Sequence, residues 1–358
     1  MSKFQTLTVL QVTNETRDAI AVVFAVPPEL REMFSYKQGQ HLTLRATIGG
    51  EVVSRSYSIC SAVQDNLLRV AIKHTKGGVF SSWANDNLRA GNTIDVMPPA
   101  GHFNVALSPQ HSKNYLAFAA GSGITPLLSI IKTTLMTEPE STFTLFYGNR
   151  ASSSVIFKQD LSDLKDSYLA RFKLVYVMSR EPQDIDLFNG RLDKEKCEAL
   201  IKEWIVVDDI DQVFICGPEQ MMHDVSDVLQ TNGVAKEKIK VELFAASVPK
   251  RAHIARAQNV PGGQDCEVTL IIDGAQMSFT MEKDKESVLD AALKLGIDMR
   301  YSCKSGVCST CRCKVVEGKV DMDANYALED YEVARGFALS CQSFPVSNKV
   351  VIDFDQDH

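Results

Sequence analysis

A chain of 358 residues is long for one hydrophobic core and predicts two or three domains. Its composition, 45% hydrophobic and 23% charged, is that of a soluble globular protein and excludes a low-complexity chain. A net charge of -7 argues against a nucleic-acid partner, which rewards a basic surface, and no apolar run of about 18 residues is present to span a membrane.

The N-terminus, MSKFQTLTVLQVTNETRD, alternates polar and apolar residues and lacks the apolar stretch of a signal peptide. A cytoplasmic location is therefore expected, where nine cysteines signal metal or redox chemistry rather than disulfides. From residue 5 to about 105 the segments LTVLQVTNE, AIAVVFAV, HLTLRAT, RSYSIC, LLRVAIK and NTIDVMPP read as short strands between Gly, Pro and Asn turns, which predicts an antiparallel β-barrel. From about 113 the apolar strands YLAFAA, TFTLFYG, FKLVYVM and QVFICG alternate with helical stretches, which predicts an α/β domain on a parallel sheet.

AASVPKRAHIARAQNVPGGQD then interrupts all periodicity and reads as a linker. Beyond it, CEVTLII, MSFTM, a helix at ESVLDAALKLG and the terminal VVIDF suit a small β-grasp sheet. The predicted division is thus 1–107, 108–245, a linker at 246–265, and 266–358. The last part carries 16 acidic against 10 basic residues, so most of the net charge lies there. Such an imbalance marks either a docking face for a basic partner or a merely solvated acidic surface.

Three sets of residues carry chemistry. The first combines Arg55-Ser56-Tyr57-Ser58, ending a barrel strand, with Gly78-Val79-Phe80-Ser81-Ser82 after the next strand. An arginine near a helix N-terminus makes a cradle for a pyrophosphate, and an aromatic ring beside it can cover a flavin. Taken singly, the arginine is equally well a strand residue paired to a surface carboxylate.

The second set lies at strand ends of the α/β part. Gly121-Ser122-Gly123-Ile124-Thr125-Pro126 is a strand-to-helix turn whose glycines admit a phosphate, with Pro126 read as the first helical residue. Cys216-Gly217-Pro218 opens the helix that contains Met221. Arg150 and the pair Ser179-Arg180 end two successive strands, where arginine and serine suit a 2′-phosphate dianion better than a bare ribose. NADPH is expected on that ground, with NADH as the alternative.

The third set is Cys303, Cys308, Cys311 and Cys341, a C-x4-C-x2-C…C spacing that matches plant-type 2Fe–2S ligation. A zinc site pairs its ligands in two short knuckles, whereas here three crowd one loop and the fourth is remote. Ser302, Ser305, Gly306, Ser309 and Thr310 are small enough to let backbone N–H groups approach the sulfurs. Cys313 is a fifth nearby thiol, either an alternate ligand or a packed strand residue.

Taken in this order, the motifs resemble the ferredoxin–NADP reductase superfamily. The resemblance implies FAD, with FMN as the alternative: Arg55 on the flavin diphosphate, Tyr57 on the ring, Ser58 facing its reactive nitrogen, and Thr125 and Phe244 close by. It places Cys216 beside the hydride path, so that Ser58 and Cys216 are the catalytic candidates and no side chain is assigned as acid or base. GQHLTL, RSYSIC, AAGSGITP, YGNR, ICGPEQMM and YSCKSGVCSTCRCKV together resemble, over nearly the whole chain, reductase components of bacterial multicomponent oxygenases. That resemblance implies electron flow from NADPH to FAD, to the 2Fe–2S cluster, and out to a di-iron oxygenase of aerobic phenylacetate breakdown. A steroid or aromatic hydroxylase as acceptor, or a redox-sensing flavin and iron–sulfur protein, is the competing expectation.

Overall fold

The structure is a computed structural model and describes residues 4–244, 265–283 and 285–356. The predicted linker, 246–265, lies outside the described residues except for Asp265. The chain divides into two compact units, the first made of the barrel and the parallel sheet, the second of the C-terminal part.

All six predicted barrel strands form: β1 (Gln5–Thr16), β2 (Ala19–Ala25), β3 (His41–Ile48), β4 (Glu51–Ser58), β5 (Leu68–Lys73) and β6 (Thr93–Val96), with helix α1 (Val79–Asn87) between the last two. They join in the order β4-β3-β6-β1-β2-β5, and a bridge from Ile59 to Val70 brings the end of β4 back to β5. Alternation directs Leu7, Val22, Leu42, Leu44 and Val70 into the barrel core, while α1 adds Phe80 and Ala84 to it.

The parallel layer runs β7 (Asn114–Ala120), α2 (Ile124–Thr137), β8 (Thr142–Asn149), α3 (Lys158–Ser167), β9 (Phe172–Met178), α4 (Lys194–Trp204), β10 (Gln212–Cys216), α5 (Glu219–Thr231) and β11 (Ile239–Glu242). Its order is β11-β10-β7-β8-β9, with every neighbouring pair parallel. β7 and β8 read as near-continuous apolar runs because helices cover both faces of such a sheet.

The turn before β5 is fastened to α2, and β5 itself to α3. Lys132 pairs with Asp65 at 2.9 Å, Arg69 with Asp160 at 2.9 Å, and the Val63 N–H bonds Thr133 Oγ1 at 3.2 Å.

The second unit holds β12 (Asp265–Ile272), β13 (Ala275–Glu282), α6 (Val288–Lys294), β14 (Arg312–Glu317), β15 (Val320–Met322), α7 (Asp330–Ala334), β16 (Phe337–Leu339), β17 (Ser343–Pro345) and β18 (Lys349–Asp353). The main sheet is β13-β12-β18-β14-β16, with β12 and β18 parallel at its centre and β15–β17 a separate pair. Asp273 and Gly274 turn the β12–β13 hairpin with φ of 56° and 75°, the two positive angles that a tight hairpin turn requires. Ser287 caps α6 through the Asp290 N–H, and the helix buries Val288, Leu289, Ala291 and Ala292 in the core. This is the expected β-grasp arrangement.

Candidate functional site

Topology opens the first crevice. The sheet grows from β7 in both directions, to β8 on one side and β10 on the other. Ligands of open parallel sheets bind beyond the strand ends at such a reversal. Gly121, at φ 54°, and Gly123 make the turn there, and a Cβ on Gly123 would overlap the Cys216 carbonyl oxygen. The buried Tyr147 hydroxyl donates to the Gly121 carbonyl at 2.9 Å and holds the turn in place. The start of α2 has no side-chain cap, but the helical turn Gly121–Gly123 runs straight into it and the Ile124 N–H bonds the Gly121 and Ser122 carbonyls, so the main-chain donors without helical partners are those of the glycine turn itself. Thr125 Oγ1 donates to the Ser122 carbonyl at 2.9 Å. Pro126 is not the first helical residue as expected but the third, because α2 begins at Ile124. The Ser122 carbonyl four residues before it, which an N–H at this position would bond, is met instead by the Thr125 hydroxyl.

Across the crevice, Cys216 ends β10 fully buried, and Gly217 is covered by Met221, whose Cε lies 2.6 Å from where a Cβ would stand. Pro218 precedes α5 as its N-cap residue. Burial, with the charge of Glu242 adding to it, pushes the Cys216 thiol well up, which keeps it protonated. Parallel register sets Cys216 beside Glu242 on β11. Ser58, at the end of β4, donates to Glu242 Oε2 at 3.4 Å. Phe244 packs, half-buried, on the same apolar cluster as Cys216.

The barrel holds a second uncapped helix start. α1 starts after Gly78 with no side-chain cap and no acidic residue in its first turn, which leaves the N–H groups of Val79, Phe80 and Ser81 without helical partners. The Phe80 ring is buried in the barrel and lies 5.7 Å from that of Tyr57. Ser81 Oγ accepts the Thr75 N–H at 3.1 Å, and Ser82 Oγ donates to the Gly78 carbonyl at 2.8 Å. Both hydroxyls thus brace the turn and leave the backbone to meet a ligand. Arg55, exposed on β4, spends one N–H on the Ser54 carbonyl at 2.7 Å. An uncapped helix start and an exposed arginine on a barrel strand fit a flavin diphosphate.

Arg150 and Arg180 come side by side at the ends of β8 and β9, the Arg180 N–H bonding the Arg150 carbonyl at 2.8 Å. Ser179 bonds Asn149 in the same way at 2.9 Å.

In the second unit, Cys303, Cys308 and Cys311 lie in the loop between α6 and β14, and Cys341 follows β16. Their thiols interact directly, Cys303 with Cys308 and Cys341, and Cys341 with Cys311. Ser305 N–H points to Cys303 Sγ at 3.3 Å, Cys303 N–H to Cys308 Sγ at 3.5 Å, and Gln342 Nε2 to Cys341 Sγ at 3.7 Å. Lys304, Gly306 and Ser309 take positive φ to curl the loop inward. A 2Fe–2S cluster asks for two pairs of thiolates on two irons, with N–H donors around the sulfur, and this loop fits it. Cys313 is buried on β14 with its thiol toward the Ala338 carbonyl at 3.4 Å, as a packed residue.

Comparison with known proteins agrees along the whole length. Residues 6–105 match the oxidoreductase FAD-binding domain family, 118–227 the oxidoreductase NAD-binding domain family, and 270–346 the 2Fe-2S iron-sulfur cluster binding domain family. One subunit of the 1,2-phenylacetyl-CoA epoxidase of Escherichia coli is 47% identical over 356 residues, 99% of each chain. The chain belongs to the oxygenase-reductase branch of the ferredoxin–NADP reductase superfamily. The ferredoxin reductase component of the 3-ketosteroid-9-alpha-monooxygenase of Rhodococcus rhodochrous is 34% identical over 97% of this reductase and 96% of its relative. Phthalate dioxygenase reductase shares the fold, with a TM-score of 0.59 at 22% identity over 98% of both chains.

The reductase is an electron-transfer oxidoreductase with FAD-binding, NAD-binding and 2Fe–2S domains. Sequence reasoning missed Glu242 as a member of its crevice. The residue as a whole is only half-buried, yet protein atoms crowd its carboxyl, and burial pushes it up to about 8, against a smaller opposing effect of the Ser58 hydrogen bond. No sequence signal marked it, because its place beside Cys216 exists only in the β10–β11 register.

Proposed function

We propose that the reductase takes electrons from NADPH through FAD and its 2Fe–2S cluster and delivers them to the di-iron oxygenase component of a phenylacetyl-CoA epoxidase. The observation that carries this is the 47% identity to the Escherichia coli epoxidase protein across 99% of both chains. The 34% identity to a steroid monooxygenase reductase makes that oxygenase class the competing acceptor.

FAD, when bound, supplies the change from a two-electron hydride to single electrons, which the 2Fe–2S cluster carries one at a time. In this reading Arg55 and the α1 N–H groups of the Gly78–Ser82 turn hold the flavin diphosphate, with Ser56, Tyr57, Thr125 and Phe244 around the flavin. Gly121, Gly123, Thr125 and Pro126 receive the pyrophosphate of NADPH at the start of α2. Gly217, Pro218 and Met221 border the nicotinamide. Arg150, Ser179 and Arg180 receive the 2′-phosphate. Ser58 and the neutral Cys216 thiol orient the reacting faces and exclude water, with no proton transfer assigned to either. Cys303, Cys308, Cys311 and Cys341 hold the irons.

The division into a flavin domain at 1–107, a nucleotide domain at 108–245 and a ferredoxin domain at 266–358 belongs to the same proposal. So does docking of the oxygenase on the acidic ferredoxin domain, supported by its 16 acidic against 10 basic residues. A cytoplasmic location is proposed from the reliance on NADPH and reduced thiols. Among the described residues no helix is long and apolar enough to cross a membrane.

Reconstitution tests the proposal. Purified reductase, NADPH and a phenylacetyl-CoA oxygenase component should form epoxide, and a steroid oxygenase should stay idle. Turnover with the steroid enzyme alone would reassign the acceptor, and no turnover with any oxygenase would favour a redox sensor.

A further inference from the structure

The loops after β8 and β9 run together beyond their strands. Regular pairing ends at Asn149 and Met178, yet Ser179 N–H and Arg180 N–H continue it onto the Asn149 and Arg150 carbonyls. One step further a side chain completes the zipper. The Glu181 carboxylate accepts the Ser152 N–H at 2.8 Å and the Ser152 hydroxyl at 2.9 Å.

The two arginines beside this latch are exposed, and among the described residues neither guanidinium has an ion-pair partner. An acid next in sequence to Arg180 would ordinarily reach for such a guanidinium. Here its oxygens are committed to Ser152, and those same hydrogen bonds hold its carboxyl below the ordinary range.

We propose that Glu181 is a positioning residue for nucleotide selectivity: latched to Ser152, it aligns the two loops and keeps its charge away from the face where Arg150 and Arg180 meet a 2′-phosphate. Released, the carboxylate swings to the arginines, neutralises them and repels the dianion. The inference rests on the reading of Arg150, Ser179 and Arg180 as the 2′-phosphate site.

The test is calorimetric binding of 2′,5′-ADP and 5′-AMP to the intact holoprotein, with flavin absorbance confirming the fold of each variant. Ser152→Pro removes both the N–H and the hydroxyl at the first position of a helical turn, where proline is tolerated after the extended Ala151. It should weaken 2′,5′-ADP by about fivefold or more while 5′-AMP changes little, since only the 2′-phosphate feels the freed charge. Adding Glu181→Gln to Ser152→Pro should restore 2′,5′-ADP to within about twofold, because no charge is left to swing. Equal weakening of both ligands, no change in Ser152→Pro, or a double variant that stays weak would overturn the latch. Arg150→Ala and Arg180→Ala separate the two levels. If neither lowers the preference for 2′,5′-ADP, the phosphate site itself is wrong. If both lower it while Ser152→Pro does not, only the latch falls.

Discussion

Ser58 at the end of barrel strand β4 and Glu242 at the end of sheet strand β11 meet across the nucleotide crevice, hydroxyl to carboxyl oxygen, at 3.4 Å. The barrel contributes a neutral donor and the sheet an acid that burial keeps protonated near neutrality. The neutral Cys216 thiol lies beside them, so this wall of the crevice carries no fixed charge near neutrality.

That acid makes stability depend on pH with a definite sign. Folded, Glu242 holds its proton up to about 8, whereas unfolded it releases it near 4.5. Its contribution is therefore whole below 4.5 and is lost as pH rises through about 8. The urea midpoint of the holoprotein should fall across this window relative to Glu242→Gln, which has no such titration. Parallel curves for the two proteins would show that the carboxyl is not buried as described.

Gly123 and Gly217 face each other across the crevice but should respond differently to alanine. A methyl on Gly123 would overlap the Cys216 main-chain carbonyl, which has no room to retreat, whereas one on Gly217 meets the flexible end of Met221 at 2.6 Å. Gly123→Ala should cost about 1–3 kcal/mol and abolish nucleotide binding, by the usual penalty for overpacking. Gly217→Ala should cost less than that. Thermal unfolding and NADPH titration of both variants decide it, and equal penalties would contradict the packing account.

Cys311→Ala should remove the iron–sulfur absorbance and lower electron delivery to a protein acceptor by about a hundredfold or more, since even partners of metal ligands are worth 10–100-fold. Reduction of ferricyanide by NADPH should persist, because it needs only the flavin. Loss of both activities in a folded, flavin-loaded variant would break the serial route.

Glu138 is a structural carboxylate far from the chemistry. It is 0% exposed and accepts from the Ser108 N–H, His111 Nδ1, the Tyr115 hydroxyl and Ser141 Oγ at 2.7–3.1 Å. Burial raises its carboxyl, but the bonds from Ser141, Ser108, His111 and Tyr115 outweigh burial and hold it below the ordinary range. Glu138→Ala orphans those donors and should cost about 3–5 kcal/mol, as breaking a buried charged network does. A chemical-denaturation ΔΔG under about 1 kcal/mol, the worth of an ordinary hydrogen bond, would mean that the site relaxes around the loss.

Much of this protein can be read from its residues, for identifiable reasons. β1 and β6 alternate between buried and open positions, β2 reads as an apolar run because it is buried on both faces, and the cysteine spacing is set by cluster geometry. β11 was not legible. It is a four-residue edge strand, Ile-Lys-Val-Glu, whose polar residues imitate a loop. With it went the place of Glu242, which depends on register with β10. Pro126 fell two residues deeper into α2 than expected because the turn before it is helical from Gly121 onward. Phe80 looked like part of a ligand turn, yet its ring completes the barrel core, a role that only tertiary packing assigns. The Ser152–Glu181 contact joins two loops and leaves no periodic trace in either.

The ion pairs Lys132–Asp65 and Arg69–Asp160 have a kinetic meaning. They clamp barrel to sheet before any nucleotide arrives, so the gap into which the nicotinamide slides is a property of the folded chain. Alignment of donor and acceptor then demands little further loss of freedom on encounter, because an incoming nicotinamide nucleotide meets two walls that are already joined.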